Sequence, residues 1–207
     1  MIWIDLTMPL SEKTPVFPGA PPSEFRSVAT VAQDGWNELR LAFNAHFGTH
    51  LDAPYHLLDD GKKLSDYPVD RFVGSAVVID VRGQKEIRVN SSDLAVAGVK
   101  PGDFVFFLTG HSDGAFKPGY FEDNPVIPLD TAQALVDADV SLVGLDSFTP
   151  DNEPYDVHKL LFRHDVLILE NLVDLAQLAG KRVDVVVAPL HILNGDGAPC
   201  RVFAKPI

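Results

Sequence analysis

Between His46 and His56 the chain reads His46-Phe47-Gly48-Thr49-His50-Leu51-Asp52-Ala53-Pro54-Tyr55-His56, so three of its seven histidines and one carboxylate fall within eleven residues. Imidazole nitrogen and carboxylate oxygen are donors that zinc and other first-row dications accept. The one cysteine, Cys200, lies far away in sequence, so the set has no thiolate. A His/Asp set without cysteine points to a catalytic metal site rather than a structural zinc knot. His46, His50 and Asp52 supply three ligands and leave a coordination position open for water or substrate. His56 is the spare: a fourth ligand, a general acid/base and a solvated loop histidine are all open at this point. The plainer alternative is a polar loop that happens to collect histidines. Gly48, Thr49 and Pro54, set between the ligands, weigh against it.

The spacing also constrains the backbone. The even positions of a straight strand face one side, but the Cα atoms of His46 and His50 would lie about 13 Å apart at about 3.3 Å per residue. A regular helix is disfavoured by Gly48, Thr49 and Pro54. The segment is therefore expected to bend at Gly48, where no Cβ restricts the dihedrals. Pro54 is expected to stiffen the exit and point His56 separately, and Thr49 to hydrogen-bond a ligand or the backbone. Two other residues stand out less. Glu170 closes the apolar run Val166-Leu167-Ile168-Leu169. A carboxylate there is costly if buried, so on this ground alone it reads as an exposed strand end. His158, at the head of an apolar segment, reads as an ordinary core or surface histidine.

The elements that must carry these residues can be sketched. A first strand is expected over 2–6 and a proline-rich loop over 15–22. A hairpin is expected over 25–31 and 36–44, turning at Asp34-Gly35. Buried strands are expected at 75–81 and 104–109, with a short helix over 92–97 capped by Ser91 or Ser92. Asp130 would cap a helix running to about Asp137. Further strands are expected at 141–145, 166–169 and 183–188, a helical stretch over 172–178 stopped by Gly180, and a last short strand over 202–205. This order predicts an α/β or α+β fold, a mixed sheet with helices packed on it. At 207 residues the chain is expected to be a single domain. The formal net charge of −12 argues against nucleic acid and anionic membrane as partners. The N-terminal residues carry no basic, apolar leader, so a cytoplasmic location is expected.

HFGTHLDAPYH resembles the HxGTHxDxPxH signature of the cyclase family of metal-dependent hydrolases, which includes bacterial kynurenine formamidases. Pro15-Val16-Phe17-Pro18-Gly19, Thr109-Gly110, Gly144-Leu145-Asp146, Ile168-Leu169-Glu170-Asn171-Leu172, Ala188-Pro189-Leu190 and Gly197-Ala198-Pro199-Cys200-Arg201 are similar to its other landmarks. The resemblance implies a swivelling β/β/α domain assembled as a homodimer or larger oligomer. It implies two divalent ions per chain, zinc or manganese. His46, His50 and Asp52 match the ligands of one ion, and Asp52 also bridges to a second ion held by His158 and Glu170. His56 matches the catalytic acid/base, and Phe17 stands where the family holds an aromatic against the substrate. The implied activity is hydrolysis of a small amide, an aryl formamide of the N-formylkynurenine type. Opening of a cyclic amide such as isatin, or metal and small-molecule binding without catalysis, are the rivals. Phe17-Pro18-Gly19-Ala20 departs from the WPGD of the formamidases, losing the indole and the acid. His111 follows Thr109-Gly110 where many members carry tryptophan.

Overall fold

The computed structural model describes residues 2–207. In chain order the elements are β1 (Ile4–Asp5), β2 (Glu24–Ala29), α1 (Val31–Asp34), β3 (Glu38–Ala42), β4 (His50–Asp52), β5 (Val73–Asp80), α2 (Ser91–Val96), β6 (Phe104–Leu108), α3 (Leu129–Asp137), β7 (Leu142–Leu145), α4 (Asp156–Arg163), β8 (Leu167–Glu170), β9 (Arg182–Pro189) and β10 (Gly197–Pro206). Eight strands form one mixed sheet in the order β1-β10-β4-β8-β7-β6-β5-β9. β5 to β8 run parallel, and the remaining pairings are antiparallel. β9 pairs with β5 on one side and with β10 on the other, so the sheet closes on itself like a barrel. The expected mixed sheet with helices packed on it is what the chain forms.

The parallel strands read as unbroken apolar runs because both of their faces are covered. In β6, Phe104, Phe106 and Leu108 point into the inner core with Leu51, Val78, Leu169 and Val185. Val105 and Phe107 point outward, where Leu135 of α3 and Leu161 of α4 cover them. β2 and β3 form a separate two-stranded hairpin. Phe25, Phe43 and Phe47 stack at its base, with centroids 5.3 to 6.3 Å apart. No helix among the described residues is long and apolar enough to cross a membrane.

Several local expectations are corrected. The hairpin does not turn tightly on Asp34-Gly35; the one-turn helix α1 intervenes and Gly35 closes it in the left-handed region at φ 86°. The cap of α2 is Asn90, not Ser91 or Ser92. Its Oδ1 accepts from Ser92 N–H at 2.8 Å and Asp93 N–H at 3.2 Å, and Asp93 returns the bond to Asn90 N–H at 2.9 Å. Such a reciprocal box satisfies more amide donors than a lone serine. Asp130 lies in the first turn of α3 instead of capping it. Residues 172–178 are not one helix: Leu172 bridges to Thr7, Asp174 turns left-handed at φ 56°, and only Leu175–Leu178 winds into a 3-10 turn. The last strand begins at Gly197, not Val202, because β4 and β9 both supply it with partners. Long-range pairing there overrides the local signals of Gly197 and Pro199.

Gly144, within β7, has no room for a side chain against the inner core. A Cβ there would sit 2.4 Å from Cδ1 of Phe106 and 3.1 Å from Leu172. Phe106 is fully buried and cannot move aside. Gly144→Ala should therefore destabilise the fold by about 1–3 kcal/mol, read as a lower urea midpoint at unchanged m-value. An unchanged midpoint would show that the core has slack at this point.

Candidate metal centre

Alternation within β4 and β8 decides which side chains meet. Leu51 and Leu169 point into the inner core. His50, Asp52 and Glu170, one step out of phase, therefore face the opposite side of the sheet. The antiparallel register sets His50 across from Glu170 and Asp52 across from Ile168. His158 comes from the first turn of α4, whose Val157, Leu161 and Phe162 pack on the outer core beside Ile168. The chain bends at Gly48, at φ +62°, where a Cβ would meet Leu10 Cδ2 at 2.3 Å. That bend brings the rings of His46 and His50 to 5.0 Å between centroids. Pro54–His56 forms the expected stiff exit, a 3-10 turn. Thr49 bonds backbone on both sides, donating to the Asn171 carbonyl at 2.6 Å and accepting from Met8 N–H at 2.8 Å.

The resulting cluster is close-set. His50 Nε2 lies 3.3 Å from both Asp52 Oδ1 and Glu170 Oε2. His158 Nε2 lies 3.6 Å from Glu170 Oε1, and His46 Nδ1 lies 2.6 Å from Asp52 Oδ1. Two groups offer ligand atoms within 4.8 Å of one another: His46, Asp52 and His56, and His50, Asp52 and Glu170. Asp52 belongs to both. The reading of Glu170 as an exposed strand end, made on sequence grounds alone, is overturned: it is 5% exposed, and His158 is 3% exposed.

One atom tests whether a cation fits. His50 Nδ1 donates to the Gly48 carbonyl at 2.8 Å, so in the neutral ring Nε2 carries the lone pair. Among the described residues, Nε2 is the fully buried side-chain nitrogen or oxygen without a hydrogen-bond partner. Ligating histidines commonly donate their other N–H to a carbonyl in this way. Electrostatics point in the same direction. Burying a carboxylate costs several kcal/mol unless it is compensated, and no lysine or arginine lines the cavity among the described residues. Burial pushes the His158 imidazole down, yet Asp151 and Glu170 carry it up to about 9. Burial likewise opposes Asp52 and Asp196 at His46, and the carboxylates win, holding it at about 9. His50 is driven well above its usual value by Asp52 and Glu170 against the same burial. The cluster attracts positive charge, which a divalent ion would supply.

The cluster forms one end of a cavity of about 360 Å³, within the size range of small-molecule sites. Phe17, Phe47, Tyr120, Phe121, Phe148 and Tyr155 help to wall it. Phe17 stands edge-on to Phe121 at 5.5 Å and tilted to Phe148 at 6.3 Å, so it packs on its neighbours while lining the cavity. His56 sits 4.0 Å from His46 between ring centroids. Burial first, then the nearby His46, holds its imidazole below the ordinary value against the pull of Asp52. His111 is not a cavity residue: its Nε2 meets the Tyr120 carbonyl at 2.8 Å and its ring stacks on Tyr120.

Sequence reasoning missed the carboxylates behind the imidazoles. Asp196 Oδ2 lies 2.8 Å from His46 Nε2 and 3.3 Å from His56 Nδ1. Asp151 Oδ1 lies 2.5 Å from His158 Nδ1. Asp196 stands between Gly195 and Gly197, a spacing that allows close backbone approach and was the one available signal. Nothing in the local pattern around Asp151 marks it.

A family model described as "Putative cyclase" matches residues 4–152. A kynurenine formamidase of Bacillus cereus is 31% identical over 212 residues, taking in 99% of this chain and 98% of that protein. A solved structure described as a potential metal-dependent hydrolase with cyclase activity superposes at a TM-score of 0.81 with 29% identity, covering 98% of this chain and 96% of its own. An isatin hydrolase bound to the product analogue thioisatinate superposes at 0.90 with 23% identity, covering 99% and 92%. At that identity the likeness is one of fold.

Gly197 gives a way to disturb the cluster without replacing any of its polar side chains. A Cβ there would lie 2.8 Å from His46 Cε1, 2.9 Å from the Leu51 carbonyl and 3.3 Å from Asp52 Oδ1. Gly197→Ala should displace His46 and weaken binding of an added divalent ion to the cluster about 10–100-fold, the usual size of a change around a metal site, with far-UV circular dichroism unchanged. Wild-type affinity for the ion in this variant would show that His46 does not need its present position.

Proposed function

The chain belongs to the cyclase family, and on that premise we propose that it is a metal-dependent amidohydrolase cleaving a small aryl formamide of the N-formylkynurenine type. The observation that carries this reading is the buried His/Asp/Glu cluster, with the unpartnered His50 Nε2, at the floor of an aromatic cavity. A kynurenine formamidase alignable over nearly the whole of both chains supports the substrate class. In this reading His46, His50 and Asp52 hold one ion, and Asp52, His158 and Glu170 hold a second. Zinc suits the donor set, and manganese is accepted by it too. The ions supply Lewis acidity, polarising the scissile carbonyl and making water a competent nucleophile at neutral pH.

The chain's own residues do the rest. Asp196 accepts from His56 Nδ1, which leaves Nε2 as the nitrogen that moves a proton. His56 takes the proton from attacking water and delivers it to the leaving nitrogen. Asp151 holds the His158 ring from behind through Nδ1. Phe17, Phe121 and Phe148 offer edges and faces to an aryl ring. Phe17 has no N–H donor, so selection for the full kynurenine side chain is weaker than a tryptophan would give. The proposal includes a single domain acting in the cytoplasm and a homodimer. Trp36, Leu39 and Leu41, exposed on and beside the β2–β3 hairpin, support a second copy covering that arm.

A panel of aryl formamides and cyclic amides, assayed on protein whose metal content is measured in the same sample, tests the proposal. Formamides should turn over fastest. Faster opening of isatin would move the substrate class to cyclic amides, and no turnover of either would end the amidohydrolase reading. Zinc-reconstituted wild type should hold about two equivalents, and Glu170→Ala about one. A stoichiometry of one in both proteins contradicts the shared-carboxylate arrangement.

His56→Ala should keep its metal and lose turnover by a factor on the order of 10²–10⁴, the usual contribution of a general acid/base. Because His56 also lies within ligand reach of His46 and Asp52, metal analysis of this variant is decisive. A metal-depleted His56→Ala would make it a ligand.

A further inference from the structure

We propose that the Asn171 carboxamide is a fixed hydrogen-bond donor to the oxygen of the scissile carbonyl, held in position by the Tyr120 hydroxyl. This inference rests on the amidohydrolase reading above. Asn171 follows Glu170 directly and lines the same cavity. Its other polar groups are committed. The backbone N–H donates to the Ser147 carbonyl at 2.9 Å, the backbone carbonyl accepts from Thr49 at 2.6 Å, and Oδ1 accepts from the Tyr120 hydroxyl at 2.6 Å. Nδ2 has no partner among the described residues. It is also absent from the fully buried atoms that lack one, where His50 Nε2 stands alone. Nδ2 is therefore reached from outside the packed interior, and the space that Asn171 borders is the cavity.

Tyr120 makes this donor rigid. Its ring is 6% exposed. His111 stacks on it at 4.9 Å, and Phe121 and Phe148 meet it edge-on at 5.2 and 5.6 Å. His111 Nε2 also holds the Tyr120 backbone carbonyl, which gives His111 a purpose away from the chemistry. The hydroxyl so fixed donates to Oδ1, which holds the carboxamide with Oδ1 toward Tyr120 and its N–H groups toward the cavity. Donors aimed beforehand at the oxygen that gains negative charge as water adds to a carbonyl stabilise the transition state without reorganising. Tyr120 is a positioning residue in this scheme, and Asn171 the residue that touches substrate.

The plainer account is that Asn171 serves only its backbone. Its φ is +58°, a region asparagine tolerates better than most residues and glycine adopts freely. Asn171→Gly separates the two accounts, because it keeps the backbone conformation and removes the carboxamide. With an aryl formamide and zinc-loaded enzyme, Asn171→Gly should lower kcat on the order of 10²–10³-fold, as loss of an oxyanion donor does. KM, zinc content and Tm should change little. Tyr120→Phe keeps the ring, frees the carboxamide to rotate, and should lower kcat by a smaller factor with KM again nearly unchanged. Wild-type kcat in Asn171→Gly overturns the proposal. If Asn171→Gly loses zinc or unfolds, Tyr120→Phe decides: a lower kcat supports the donor and a wild-type kcat overturns it. If the wild-type enzyme cleaves neither formamides nor cyclic amides, the amidohydrolase reading has failed on its own account. Calorimetric titration with phenylphosphonate, a stable oxyanion mimic, then decides the role of Asn171. Weaker binding by Asn171→Gly supports the donor, and equal binding overturns it.

Discussion

Asp52 and Glu170 are carried into the outer face of the sheet by strands whose neighbouring residues, Leu51 and Leu169, are fully buried in the inner core. Neither carboxylate can reach bulk water without undoing that packing, and no lysine or arginine lines the cavity to neutralise them among the described residues. Imidazoles are what the fold supplies instead. His50 stands between the two carboxylates, His46 beside Asp52, and His158 beside Glu170. Desolvation of this order costs several kcal/mol per charge. The arrangement is stable only if positive charge, protonic or metallic, joins it. At His50 the Gly48 carbonyl accepts from Nδ1, so Nε2 is the atom that meets the two carboxylates, with a proton on it or with a lone pair offered to a metal.

Much of the surrounding structure follows from holding that cluster. The bend at Gly48 turns His46 back over His50. The pairing of β10 with β4 places Gly197 against His46, where any side chain would collide. The 3-10 turn at Pro54 leaves His56 stacked near His46 instead of continuing the strand. Carboxylates reappear one layer back. Asp196 backs His46 and His56, and Asp151 backs His158. Each fixes which ring nitrogen faces the centre, so the imidazoles are oriented before any ligand arrives. The rest of the cavity is walled largely by aromatic side chains, Phe17, Phe47, Phe121 and Phe148 among them.

The His/Asp segment was readable because its information is local. Eleven consecutive residues contain His46, His50, Asp52 and His56, with a glycine where the backbone must bend and a proline where it must stiffen. The buried strands at 104–108 and 142–145 were readable for a similar reason: runs apolar on both faces have few other places to go. Boundaries that depend on distant partners were not. β10 begins five residues earlier than its local pattern suggests, because β4 and β9 both offer it edges. The cap of α2 was misplaced for a different reason: the Asn90–Asp93 box is local, but two serines beside it carry the same capping signal.

Residue types and spacing determined by themselves that this chain carries a thiolate-free His/Asp segment whose donors suit a metal ion, in a mixed α/β protein, since donor chemistry and strand alternation are properties of neighbours in sequence. Whether Glu170 is exposed or buried was beyond that reach, and here the residue-by-residue reading pointed the wrong way. A glutamate ending a strand is exposed or buried according to what packs over it, and only the folded chain lays α4 across β8. Asp151, Asp196, Tyr120 and Asn171 belong to the same group. Their hydrogen bonds span 7, 150, 140 and 51 residues of sequence, and these side chains meet only once the loops and strands that carry them have packed.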